Sequence, residues 1–170
     1  MEKKEVDYLL ALPKRVKLHD ILEDSITFDR PVLFQQKYKL GSPMDDNYTF
    51  LYEINQSPKV NLKLTLYLMD NETKIGLLRI DFNGQHQNPE EVIKDLPKDL
   101  LPFAGKLFDY NEPHIHYHVD GYKQMAWAKP AKGNFPVSDI TSQDDIISAF
   151  YEFNTMIALE TRFTINPILL

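Results

Sequence analysis

A chain of 170 residues with no cysteine and a formal charge of -6 excludes disulfide staples, thiol nucleophiles and thiolate metal sites. Its 43% apolar and 26% charged residues are those of a globular protein, which sets aside global disorder and fibrous repeats. The acidic balance argues against a dominant duplex-phosphate surface, and the length suits one domain, residues 1–170, able to bury a core without metal support.

The start, Met1-Glu-Lys-Lys-Glu-Val-Asp7, mixes both charges and predicts no signal peptide. No stretch approaches the roughly 18 apolar residues of a membrane helix, so the expectation is a cytoplasmic chain with no membrane partner. Lys3 to Leu12 predicts a short helix that stops at Pro13. Ser25 to Leu40 holds β-favouring pieces, including Phe34 to Leu40, interrupted by Pro31, and reads as strand. In Tyr48–Asn55 the residues Tyr48, Phe50, Tyr52 and Ile54 share one face, and in Val60–Leu68 so do Val60, Leu62, Leu64, Leu66 and Leu68. The turn formers of 70–73 join the second of these strands to Lys74–Phe82 as a hairpin.

Asn88-Pro89 predicts one or two helical turns toward Asp95, with Pro at a first helical position. His114–Val119 alternates, and Asp120-Gly121 then predicts a second hairpin into Tyr122–Ala128. Near the C-terminus Ser142 caps a first turn carrying Asp144 and Asp145. Ile146, Phe150, Phe153 and Ile157 follow at helical spacing, an amphipathic helix made to cover a sheet. Together the elements predict an α+β fold: an antiparallel sheet of about five to seven strands with one C-terminal helix packed on one face.

The residues able to carry chemistry concentrate in two segments. His114, His116 and His118 point to one side of a strand, with neighbours about 6.6–6.8 Å apart, a spacing at which two imidazoles can share one metal ion. The third ligand would come from His86, Asp81 or Glu112. With no cysteine in the chain, any metal is held by histidine and carboxylate alone. The alternative is that Ile115, Tyr117 and Val119 enter the core while the histidines face solvent.

The second segment is Leu77-Leu-Arg-Ile-Asp-Phe-Asn-Gly-Gln-His-Gln-Asn-Pro89. If Leu78, Ile80 and Phe82 face the core, Arg79 and Asp81 face outward with Lys63, Thr65 and Tyr67. They join the histidines provided both hairpins lie in one sheet. Guanidinium, ammonium, imidazole and phenol groups on one face suit an anionic ligand such as a nucleotide or single-stranded RNA. A solvated face on which Arg79 and Asp81 neutralise each other is the competing reading. No nucleophile elbow, phosphate-binding glycine loop or His-Glu-x-x-His helix is present.

These two segments, with Trp127-Ala128-x-Pro130 after them, resemble a family of small bacterial and prophage-borne proteins of unknown function over residues 50 to 155. The resemblance singles out Arg79, Asp81, Asn83, His86, Asn88, His114, His116 and Tyr122 as a ligand-binding face and implies a bacterial or mobile-element setting, without supplying a reaction. Two functions stand open. One is a non-enzymatic interaction protein, without cofactor, that binds a protein or nucleic-acid partner in phage–host conflict or a toxin–antitoxin-like pair. The other is a His-dependent nuclease or hydrolase of RNA or a nucleotide, with His86, His114 and His116 catalytic or holding zinc or another divalent metal. A small-ligand module on the same face is a third. The open edges of such a sheet also admit a homodimer.

Overall fold

The computed structural model describes residues 1–29, 34–60, 62–93 and 95–166. Helix α1 (Lys3–Ala11) leads into strands β1 (Arg15–Leu18), β2 (Ile21–Glu23), β3 (Ser25–Asp29), β4 (Gln35–Gly41), β5 (Thr49–Gln56), β6 (Leu64–Asp70) and β7 (Gly76–Phe82). A two-residue β8 (His86–Gln87), a 3-10 turn at Leu101–Phe103 and β9 (Leu107–Phe108) follow. The chain closes with β10 (His114–Tyr117), β11 (Trp127–Pro130), helix α2 (Gln143–Met156) and β12 (Arg162–Asn166). Eight strands form one sheet in the order β11-β10-β7-β6-β5-β4-β1-β2, every pair antiparallel. β3 and β12 pair in parallel beside it, and β8 and β9 make a small antiparallel ribbon.

The α+β class with an antiparallel sheet is what the alternation predicts. The main sheet is wider than the expected five to seven strands, because the short β1 and β2 extend it past β4. Among the described residues the α-helices are the expected N-terminal one, Lys3–Ala11, and the C-terminal one. β6 begins at Leu64: Leu62 adopts φ +60° and Val60 is exposed, so the upstream apolar alternation does not continue the strand, and Asn61 lies outside the described residues. The Ser25–Leu40 segment divides into β3 and β4, with Pro31 outside the described residues.

The second hairpin differs most. Tyr117 pairs with Trp127, so residues 118–126 form a connection and Asp120-Gly121 does not close a two-residue turn. The described residues after Asn88 contain no α-helical turn before Leu101; Lys94 lies outside them. Asn88 spends its side chain on distant backbone groups, described below, and has none left for capping.

One face of the sheet carries the core. Phe50, Tyr52, Ile54, Leu64, Leu66, Leu68, Leu78, Ile80, Phe82 and Ile115 are all buried, at period two on neighbouring strands. Helix α2 covers them. Its Ser142 hydroxyl accepts from the Asp145 amide while the Asp145 carboxylate accepts from the Ser142 amide, a capping box. Its Phe150 and Phe153 rings lie 6.3 and 5.7 Å from Tyr52. Each fully buried side chain of this size stabilises the fold by roughly 1.5–3 kcal/mol.

Lys14, wholly buried, fastens the two helices. Its ammonium donates to the carbonyls of Leu10 and Leu12 at the end of α1 and of Ile157 at the end of α2, at 3.1, 2.7 and 2.9 Å. Burial pulls this group down to about 7. All three N–H bonds nevertheless meet acceptors where both helix dipoles are negative.

Candidate functional site

The opposite face of β7 and β10 holds the polar residues. The register sets Asp81 between Thr65 and His114, and Arg79 between Tyr67 and His116, so both hairpins do lie in one sheet. The face is not solvated. His114, His116 and Asp81 are 0%, 2% and 4% exposed, because β8, β9 and the 118–126 connection lie over them. His86 on β8 and Phe108 on β9 stack against His114 with ring centroids 5.7 and 4.8 Å away.

Asp81 is the hub. Its Oδ1 accepts from Thr65 Oγ1 at 2.5 Å and from Arg79 Nη2 at 3.0 Å. Its Oδ2 lies 2.9 Å from His116 Nε2 and 3.9 Å from His114 Nε2. Arg79 Nε is also 2.8 Å from Oδ2, but off the hydrogen-bond axis, so that contact is mainly electrostatic. Burial alone would raise the Asp81 carboxyl. The His116 hydrogen bond, the Arg79 charge and Thr65 outweigh it and hold the group below the usual carboxylate range.

The histidines are oriented by backbone. His114 Nδ1 bonds the Glu112 carbonyl at 2.9 Å and His116 Nδ1 the Met125 carbonyl at 2.8 Å. A carbonyl only accepts, so each Nδ1 carries the hydrogen and each Nε2 is turned toward Asp81. His114 Nε2 is buried with no hydrogen-bond partner among the described residues. Burial pushes the His114 imidazole down to about 4, so its Nε2 lone pair is open near neutral pH. Asp81, His114 and His116 each present a ligand atom, all within 4.8 Å of one another. Backbone-anchored Nδ1–H groups with Nε2 converging on a carboxylate are the outer arrangement that metal-binding histidines use.

His86 is brought against this pair, its ring centroid 4.4 Å from that of His116, without joining the converging atoms. Its Nε2 faces Asn88 Oδ1 and the Ala126 carbonyl, both at 3.0 Å. Asn88 is 2% exposed and its amide orientation is settled. Nδ2 donates to the Phe103 and Ala128 carbonyls, and Oδ1 accepts from the Ala128 amide. His86 Nε2 therefore carries the hydrogen and Nδ1 the lone pair. Burial, then the neighbouring His116, pushes the His86 imidazole down and favours this neutral form.

Above Asp81 and His116 opens a cleft of about 630 Å³. Arg79, His86, Lys123 and Gln124 line it, with Glu90 the one other carboxylate among its described lining residues. A family model described as a family of unknown function (DUF6978) matches residues 1–159. The chain belongs to DUF6978. No curated protein and no solved structure matches it.

In this DUF6978 chain the remaining predicted residues lie elsewhere. Asn83, at φ +55°, ties its turn to the Leu62 carbonyl. The Tyr122 hydroxyl donates to the Glu91 carbonyl and accepts from the Ile93 amide, and its ring packs on Trp127. The Glu112 carboxylate is taken by Lys106, and only its backbone carbonyl reaches His114. His118 falls outside β10 and bonds the Met1 carbonyl. Lys123, Gln124 and the Met125 carbonyl are cleft groups without a sequence signal, since a connecting segment places them.

Proposed function

We propose that this protein is a metal-dependent hydrolase of a phosphate-bearing substrate, with Asp81, His114 and His116 as the protein ligands of a divalent cation. The observation that carries the reading is the buried His114 Nε2, which has no hydrogen-bond partner among the described residues and lies 3.9 Å from Asp81 Oδ2, the ligand atoms of Asp81, His114 and His116 all falling within 4.8 Å of one another. Ligand atoms about 2.0–2.2 Å from a common zinc ion lie roughly 3–3.5 Å apart; the Asp81 oxygen is 2.9 and 3.9 Å from the two imidazoles, and all three atoms lie within 4.8 Å, so a bound ion would draw the wider pairs together. Two imidazoles and one carboxylate leave coordination positions for substrate. A cation so held supplies Lewis acidity toward a phosphoryl oxygen.

The remaining groups have separate tasks. Arg79, whose side chain is 38% exposed, turns one edge to Asp81 and keeps N–H groups for an anion in the cleft. Lys123 adds a second positive charge at the rim. His86, with Nε2–H tied to Asn88 and Ala126, offers Nδ1 as the proton acceptor, the role of a general base near neutral pH.

The test is metal content of the purified protein with hydrolysis of bis(p-nitrophenyl) phosphate and single-stranded RNA, with and without chelator. Stoichiometric zinc, manganese or iron with chelator-sensitive turnover is expected. A protein that takes up none of these and turns over neither substrate would remove the reading.

A second reading, the interaction protein of a bacterium or its prophage, is favoured by one separate feature. β2 is an edge strand with Ile21 64% exposed and Leu18 of its neighbour 41% exposed, a template for strand pairing with a partner or a second copy. Leu18→Lys with Ile21→Lys would then abolish partner capture or dimerisation and leave metal uptake unchanged.

A further inference from the structure

A second cavity, of about 550 Å³, lies beside α1 and shares no described lining residue with the metal cleft. That volume falls within the roughly 300–1,000 Å³ of small-molecule sites. Its walls are mainly apolar, with Val6 and Leu10 of α1, Leu77 of β7, Leu100 and Val119, and they also include the Tyr117 ring and the His118 imidazole. Val6, Leu77, Leu100 and Val119 are buried and hold the floor of the cavity in the core, while the half-buried Leu10, Ile93 and Tyr117 present apolar surface to it.

The rim is charged and unbalanced. Among the described residues, five carboxylates (Glu2, Asp7, Asp95, Asp99 and Asp120) face the ammonium groups of Lys3 and Lys129 and the terminal amine of Met1, with the His118 imidazole also on the lining. Both lysines are already held at 2.6 Å, by Asp7 and Asp99 respectively. Among the described residues Glu2 and Asp95 have no cation, and Asp120 has only the terminal amine at 3.8 Å.

We infer that this cavity binds a small organic cation, an apolar body of aryl or alkyl size bearing one protonated amine. The apolar walls take the body, and the excess carboxylates at the mouth take the ammonium. An anion of the same shape is repelled by the rim, and a neutral analogue gains from the walls alone. The amine's advantage must fall as salt rises, because the rim carboxylates stand in water.

The single tryptophan of the chain reports on the site. Trp127 packs in a cluster with Leu96, Leu100 and Val119, two of which line the cavity. Titrating the full chain with 2-phenylethylamine, 2-phenylethanol and 3-phenylpropionate compares three charges on one body. A saturable change in Trp127 fluorescence is expected for the amine, with the alcohol about tenfold weaker and the carboxylate weaker still. Asp95→Asn with Asp120→Asn, both on exposed positions, should move the amine most of the way toward the alcohol's affinity, with Glu2 keeping the remainder. Leu10→Phe, which narrows the cavity, should weaken amine and alcohol together. An amine that gives no saturable change, that binds no tighter than the alcohol, or that keeps its affinity in the double Asn variant would overturn the inference. None of these readouts depends on metal or turnover, so the two proposals fail separately.

Discussion

His116 Nε2 and Asp81 Oδ2 are 2.9 Å apart, while the other ring nitrogen of His116 is 2.8 Å from the Met125 carbonyl. Both nitrogens thus face acceptors. The Asp81 carboxylate, held ionised, faces the His116 ring on one side and the Arg79 guanidinium on the other. The same two residues either form a buried hydrogen-bonded pair or share a metal, and the carboxylate is indispensable in both states.

Asp81→Asn therefore leaves Arg79 and His116 beside a neutral amide. Removing one partner of a buried charge network costs about 3–5 kcal/mol. Urea unfolding in the presence of chelator should show a loss of that size, and calorimetric titration with zinc should show no stoichiometric uptake. A variant as stable as the parent would mean that Asp81 is not the hub.

His114→Phe separates stability from binding. The change removes the orphaned Nε2 and gives up one hydrogen bond to the Glu112 carbonyl, while a phenyl ring can keep the stack on Phe108. The lost bond and the relieved polar atom are each worth about 1 kcal/mol in opposite directions. Stability in chelator should stay within about 1 kcal/mol of the parent while zinc uptake disappears. A large destabilisation would show that His114 serves the fold rather than a ligand.

Acid should weaken the metal-free protein in two stages. Burial lowers His114 from 6.5 to about 4 in the folded state, so between those values the unfolded chain binds a proton that the folded chain declines. Stability is then full above pH 6.5 and falls as pH drops toward 4, by at most about 3 kcal/mol. His86 shifts in the same direction and adds to it. Asp81, held below its ordinary 3.8, acts in a lower window: its contribution is present above that value and lost beneath it. Urea midpoints from pH 7.5 to 4.5 should fall for the parent and fall less for His114→Phe; equal slopes would remove His114 as the cause.

Much of this site was legible by parity. Leu78, Ile80 and Phe82 face the core, which sends Arg79 and Asp81 to the other side, and the same count groups His114 with His116. What parity cannot supply is burial. The cover comes from β8, β9 and the 118–126 segment, which return through side-chain bonds such as Asn88 to Ala128, distant along the chain and without local periodicity. For the same reason Asn88-Pro89 imitates a helix start, and Asp120-Gly121 imitates a hairpin turn. Val119 and Trp127 instead join Leu96 and Leu100 in a small core of their own, which draws the chain away from a tight turn. The short β1 and β2 carry too few residues for an alternation to show.

Lys14→Met tests the joint between the helices. Methionine has nearly the lysine's shape but offers no donor, so the carbonyls of Leu10, Leu12 and Ile157 lose the group that draws the ends of α1 and α2 together. The variant avoids burying an ammonium, a cost that offsets part of the loss, and one unsatisfied buried acceptor costs about 1–3 kcal/mol. Three of them, two at the end of a single helix, should outweigh the relieved charge and lower stability by about 3 kcal/mol, read as a shift in urea midpoint. Because Lys14 lies on the core face, zinc uptake at Asp81, His114 and His116 should be unchanged in the folded fraction. A more stable variant would show that the buried charge, not the three bonds, dominates at this position.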